Sequence, residues 1–392
     1  MNKPIRLNIG SFIWLEFILL VGVSLFTVLE QPSLSSLCFK STIAVAFVIL
    51  LLQVKSGYMD AMVIMFAFVS LLNVLLNSWF SDEAVLNFAY WNKWIFYCVA
   101  FVFFYVASTY DADAKIIKIV ETAPIIMGLI FILGYHVLGM RTTYAGGVTL
   151  GFGNPNKTAT WLLHTVLYGV YGFVKAEKYV LKIAYAVFFV LCMQLLLLTK
   201  NRASLVALLA FACLFCYGLI ISNKKLPKWL LACVLIFPLL FAGIYQTLVE
   251  AEWFNKLFAF LVSEGKTLSS RSSMWEFAFQ KFGESWLIGN YAGISEGTGM
   301  SQMHNTHLDL LCSFGIIPFV FFFRILYRVA SSCAKKVETT EQLIAICAFL
   351  GVLMFGIFEA GLFTGCSGVN FLTGGFLLLA KKHEKIEEGI SG

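Results

Sequence analysis

The chain has 392 residues, 60% of them hydrophobic and only 13% charged, with a mean hydropathy of +0.84. A soluble domain carries about 25% charged residues, so the composition argues against a water-soluble enzyme and makes lipid the main solvent. The net charge of +6 matters less than where the charges fall, and it implies no nucleic-acid partner.

A transmembrane helix needs about 20 mostly apolar residues. Twelve runs qualify: 11–29, 38–54, 58–78, 90–108, 119–139, 158–174, 179–199, 203–221, 229–246, 304–323, 342–362 and 366–380. They predict an all-α polytopic membrane protein of about 12 transmembrane helices, with 1–392 forming a single integral membrane domain. The first run, "SFIWLEFILLVGVSLFTVL", lacks an A-x-A-like cleavage site and is read as a span. The longest polar interval, 247–303, separates the ninth and tenth spans and is too long for a plain turn. It is expected to form a large folded cap. Ten cysteines lie scattered in apolar runs, as small buried apolar residues would.

Lysine and arginine in short loops set orientation. Alternate loops hold 18 of the 28 basic residues, which places both termini in the cytoplasm and the 247–303 loop outside. Arg141, Lys157, Lys200, Arg202 and Arg271 then fall on the outer side, against the usual bias. Some can be anchors snorkelling to outer headgroups. Ionisable groups near membrane depth are also costly and often functional, and these five coincide with polar motifs.

The first motif is "RTTYAGGVTLGFGNPNKTATW", 141–161. Its glycines, Asn154, Asn156 and Lys157 make a turn in which Asn156 or Thr158 is expected to cap the next helix. Such a helix start can hold an anion; an ordinary capped loop would use the same residues. The second, "LLTKNRASL", wedges Lys200, Asn201 and Arg202 between two apolar runs. A cation at a helix N-terminus opposes the dipole unless an anion joins it. The third, "SSRSSMWEFAFQKFGESWLIGN", 269–290, has Met274, Phe277, Ala278 and Phe282 at helical spacing, widened by Trp275, Phe279 and Trp286. It predicts an amphipathic helix on the outer leaflet, opened by Arg271, whose guanidinium can bind a phosphate in a fork. The fourth is "MHNTHLDLLCSFGIIPF", 303–319, which holds two of the five histidines. His304 and His307 share a helix face, but zinc needs three or four ligands and no third stands at a recognisable spacing, so no metal is expected.

Outer arginines beside a histidine at the bilayer edge suit a lipid-linked diphosphate. Arginines neutralise the charge that builds on the leaving diphosphate. A histidine can take the proton of an attacking hydroxyl near neutral pH, and Trp275, Trp286 and Tyr291 offer faces for sugar rings. This is glycosyl transfer from a lipid carrier without a cofactor.

At these residues the chain resembles the O-antigen polymerase and ligase superfamily, the Wzy-type polysaccharide polymerases and WaaL-type ligases. "GFGNPNKTA" is similar to that family's glycine/asparagine loop, and "TKNRASL" to its arginine-bearing turn. Arg202 is followed by fifteen residues and then Gly218, the arginine-x15-glycine spacing of the polymerases. "SRSSMWEFAF…WLIGN" and "HNTHLDLLCSFGIIPF" resemble its large-loop segment and histidine-asparagine helix start. The motifs cover about 140–320; the span count and loop placement cover the whole chain. The resemblance implies a GT-C-like fold in a bacterial inner membrane, acting at its outer face on undecaprenyl-diphosphate-linked oligosaccharide. It implies catalytic roles for His304, Arg271 and Arg202. Arg141, Asn154, Asn156, Lys157, Lys200, Trp275, Asn305, His307 and Glu359 are expected to bind substrate. A Wzz-type chain-length regulator is a partner the resemblance allows. Ligases show an H-x-H-N arrangement, whereas Ser301, Gln302 and Met303 precede His304, which favours a polymerase over an O-antigen ligase.

The competing class is a transporter or lipid-linked glycan flippase, also compatible with twelve spans. Matched broken helices in two halves would mark one, and no internal symmetry is visible. Deep polar residues are few: Glu16, Lys93, His136, His164, Gln194 and Glu359.

Overall fold

The computed structural model describes residues 8–56, 61–80, 88–254, 269–291, 303–359 and 367–381. Long apolar runs fold as helices because, in lipid, every backbone amide must be satisfied within its own segment. In chain order these are α1 Ile9–Val28, α2 Pro32–Ser56, α3 Ala61–Phe80, α4 Phe88–Thr109, α5 Ala114–His136, α6 Pro155–Lys175, α7 Tyr179–Leu198, α8 Arg202–Cys216 and α9 Lys228–Glu250. Then follow α10 Ser269–Glu284, α11 Thr306–Phe314, α12 Ile316–Ala334, α13 Thr340–Phe355 and α14 Ser367–Ala380. Nine of the described helices are long and apolar enough to cross a membrane: α1–α5, α7, α8 with the turn after it, α9 and α12. The chain is thus an all-α multi-pass membrane protein.

The other expected spans have a different character. Helix α6 is buried without interruption from Thr158 to Gly169, so protein rather than lipid surrounds it. That surrounding permits its polar content: His164 meets the Thr160 carbonyl at 2.7 Å and the Thr373 hydroxyl at 2.8 Å. Helix α13 is buried from Gln342 to Phe355 and opens with a reciprocal Thr339–Gln342 capping box. Helices α13 and α14 are shorter apolar segments packed on each other in the interior.

The tenth predicted run needs the largest correction. A single helix over 304–323 does not form. Short buried α11 ends at Gly315, whose φ of 84° is a left-handed value, and membrane-length α12 starts anew. Arg324 and Arg328, expected in the following loop, lie on the exposed side of α12, opposite Phe322, Ile325 and Leu326. A methyl group at Gly315 would also collide with the Leu287 carbonyl. Gly315→Ala therefore combines a forbidden backbone with a clash. It is expected to abolish monodisperse protein in fluorescence size-exclusion of detergent extracts; a parental profile would show the break is not required.

Two further departures concern the motifs. A two-residue hairpin, β1 Thr143–Tyr144 with β2 Gly147–Val148, stands in the glycine-rich loop. Its turn residues Ala145 and Gly146 both have positive φ, as a type I′ turn requires. Helix α10 does not lie free on a surface: Met274, Trp275 and Ala278 are buried against α9 and α11. Of the 247–303 cap, residues 255–268 and 292–302 lie outside the described residues.

Candidate functional site

Helix α8 begins where the chain turns tightly out of α7. Asn201 caps it, its side-chain oxygen accepting from the Ser204 N–H at 2.9 Å. Helices α8 and α13 run antiparallel, with Gly351 against Ala207 and Phe211, and Gly218 against Leu343. The arginine-x15-glycine spacing therefore spans the whole helix: Gly218 allows close approach at one end, and Arg202 stands at the other. That end is level with the C-terminus of α13, where Gly356–Phe358 form a turn leading to Glu359.

Three further elements converge there. Arg271, in the first turn of α10, comes within 3.7 Å of Glu359 Oε1, and its guanidinium lies 5.4 Å from the Phe358 ring centroid. His304, just before α11, places Nδ1 3.4 Å from Glu359 Oε2. Arg202 and Arg271 repel one another, and both act on Tyr245 of α9. Two of the three expected catalytic residues, Arg271 and His304, thus meet one carboxylate, and the third, Arg202, lies close enough to Arg271 to repel it. Glu359 is nearly buried, while Arg271 and His304 remain about one-third exposed, at 30% and 33%. Beneath them lies an aromatic floor: Tyr245 packs on Trp275 with centroids 4.8 Å apart, and Trp275 stacks toward Phe358. The arrangement leaves a guanidinium and an imidazole part-exposed beside a carboxylate that both already hold, with a second guanidinium, that of Arg202, nearby.

Other expected binding residues have structural tasks instead. Trp275 is 1% exposed and its indole N–H donates to the Met303 carbonyl at 2.7 Å, so its face is not open to a sugar. Tyr291 is buried and stacked on Tyr90 at 4.2 Å. Burial, and then the charge of Asp309, push its phenol up to about 12. Only Trp286 of the three expected stacking residues is exposed. Asn305 is fully buried: its amide N–H groups donate to the Pro238 and Ile357 carbonyls, and its oxygen caps α11 through the Leu308 N–H. His307 is 2% exposed, edge-on to Phe322 at 5.1 Å, and its ring nears the Leu235 carbonyl without reaching hydrogen-bond geometry. The two histidines therefore point into different surroundings.

The glycine-rich loop joins the same end of the bundle. Asn154, rather than Asn156 or Thr158, caps α6, with Pro155 in the first turn. Asn156 instead accepts from the Asn201 amide at 2.8 Å, bridging this loop to the start of α8. Lys200 reaches toward Gly146, and Arg141 sits exposed with its guanidinium 5.4 Å from the Tyr135 ring centroid. Lys157 borders a separate groove of about 680 Å³ between the α1–α2 turn and the loop, lined also by Thr27, Ser35, Thr149, Phe152 and Trp161.

Sequence reasoning missed one group. Lys93 of α4 and Asp309 of α11 form an ion pair of 2.9 Å, 4% and 0% exposed. Lys93 also donates to the Ser313 hydroxyl at 3.2 Å. Each residue stood out alone as a charge in an apolar run, but 216 positions separate them. The chain matches no family model, no curated protein and no solved structure.

Proposed function

We propose that the protein is a polysaccharide polymerase: an integral membrane glycosyltransferase that moves a growing glycan from undecaprenyl diphosphate onto a second lipid-linked repeat unit. The observation that carries this reading is the convergence of Arg271 and His304 on Glu359, with Arg202 close enough to Arg271 to repel it, at one end of the helix bundle. With the orientation implied by the basic loops, that end is the outer face of a bacterial inner membrane, and the fold is of the GT-C kind. The family resemblance of the motifs points the same way.

In this mechanism Arg202 and Arg271 bind the donor diphosphate, whose charge grows as the glycosidic carbon–oxygen bond breaks. The acceptor hydroxyl attacks the anomeric carbon from the opposite side, forming the new glycosidic bond with inversion. His304 takes the hydroxyl proton on Nε2, since Nδ1 faces Glu359. Polyprenyl diphosphate leaves with the electron pair. Glu359 holds the imidazole in orientation and gives up part of its hold on Arg271 when the diphosphate arrives.

The test is polymerisation of a purified lipid-linked repeat unit by the reconstituted protein. General-base assistance contributes about 10²–10⁴-fold, so His304→Ala is expected to lower turnover by at least about a hundredfold while donor binding persists. A variant that polymerises as fast as the parent would remove His304 from the chemistry.

A further inference from the structure

His304 has φ of 49°, a left-handed value that a histidine rarely adopts. Such a conformation persists only where the surroundings over-determine it, and here they do so on both sides. The Met303 N–H donates to Asp309 Oδ1 at 3.0 Å, and the Met303 carbonyl accepts from the Trp275 indole at 2.7 Å. After His304, the Asn305 side chain is tied to the Pro238 and Ile357 carbonyls. The Thr306 N–H and hydroxyl reach the Gly356 and Glu359 carbonyls, each at 2.8 Å. His304 is thus one residue held between two clamped peptides, with its imidazole against Glu359 and one-third exposed.

The anchor of the upstream clamp is the buried ion pair. Asp309 Oδ1 serves two donors at once, Lys93 Nζ at 2.9 Å and the Met303 N–H. Lys93 neutralises the carboxylate in a buried site, where a lone charge is costly. We propose that Lys93 and Asp309 are positioning residues of the site, fixing the Met303 peptide and through it the aim of His304. The role in turnover rests on the proposed reading of His304; the clamp itself does not. Trp275 joins the device to the phosphate side, because it lies one helical turn beyond Arg271 on α10. One peptide therefore sets both the histidine and the helix that bears the arginine.

A purely structural ion pair and a positioning pair respond differently to two double variants. Lys93→Met with Asp309→Asn removes both charges but keeps a side-chain oxygen for the Met303 N–H. Lys93→Met with Asp309→Leu removes that acceptor as well. The readout is diethyl pyrocarbonate modification of His304 relative to exposed His136 in the same detergent-solubilised protein, mapped by peptide mass spectrometry. The asparagine double variant is expected to label like the parent. The leucine double variant is expected to label His304 severalfold faster and, because a small misplacement of a reacting group can cost about a hundredfold, to lose a comparable factor in kcat with KM little changed. Trp275→Phe releases the same peptide from its other side and is expected to raise His304 labelling too, which keeps the test open if the leucine variant does not fold. Parental labelling in both the leucine double variant and Trp275→Phe overturns the proposal, as does identical behaviour of the two double variants. If labelling shifts as expected while even the parent fails to turn over a lipid-linked donor, the clamp stands and the glycosyl-transfer reading falls.

Discussion

Asp309→Ala, with Lys93 left in place, is expected to destabilise the protein by about 3–5 kcal/mol, the cost of stranding one member of a buried ion pair. Lys93 is 4% exposed and its neighbours include the Ser313 hydroxyl and the Tyr291 ring, 4.7 Å from the ammonium to the centroid. A hydroxyl and a ring face do not replace a carboxylate. The loss also frees the Met303 N–H, a second buried donor. Replacing both charges by apolar residues of similar volume is expected to recover most of the stability, because such pairs contribute little net energy over a well-packed apolar pair. Thermal melts in detergent of Asp309→Ala and the Lys93→Met, Asp309→Leu double variant measure this directly. A single variant that melts with the parent would mean that water or another group reaches Lys93.

This pair also marks what the sequence left unreadable. Each charge breaks an apolar run visibly, but nothing in the spacing of Lys93 and Asp309 couples them, since only the packing of α4 on the α11–α12 region brings them together. The apolar runs themselves were readable, because lipid leaves a helix as the only open structure for them. The break at Gly315 was hidden for the same reason: "LLCSFGIIPFVFFF" stays apolar across it, and glycine is common in membrane helices. A signal was present in Pro318, which fits the first turn of a new helix and not the middle of an old one. Arg202, Arg271 and His304 were legible as a set because cations stranded at one membrane boundary need a shared explanation. The burial of Trp275, Asn305 and His307 was not, since an aromatic or amide side chain reads the same whether it faces a ligand or the interior of its own protein. Glu359 sat between the two cases: its charge was visible, and only the turn after α13 shows that it meets both Arg271 and His304.

Arg271→Lys is expected to lower turnover by about a hundredfold or more, in the range seen when one donor to a developing anion is removed, while leaving the melting temperature unchanged. Two observations separate these effects. The Arg271–Glu359 contact is long, 3.7 Å, and the arginine is 30% exposed, so the pair contributes no more than about 1 kcal/mol to folding. The guanidinium also lies 5.4 Å from the Phe358 ring centroid, where a planar cation can stack and an ammonium is a poorer fit. Lysine keeps the charge but offers a compact point donor in place of a fork that meets two phosphate oxygens together. The effect should therefore appear with a diphosphate donor and not in the fold. Glu359→Gln supplies the complementary case. It removes the anion that now competes for Arg271, so donor binding is expected to tighten, while His304 loses its charged partner and kcat falls. A fall in both KM and kcat in Glu359→Gln, beside a kcat/KM loss in Arg271→Lys at constant melting temperature, would identify the cluster as a diphosphate site in which Glu359 holds the place of the substrate. Full activity in Arg271→Lys would exclude forked phosphate recognition at this position.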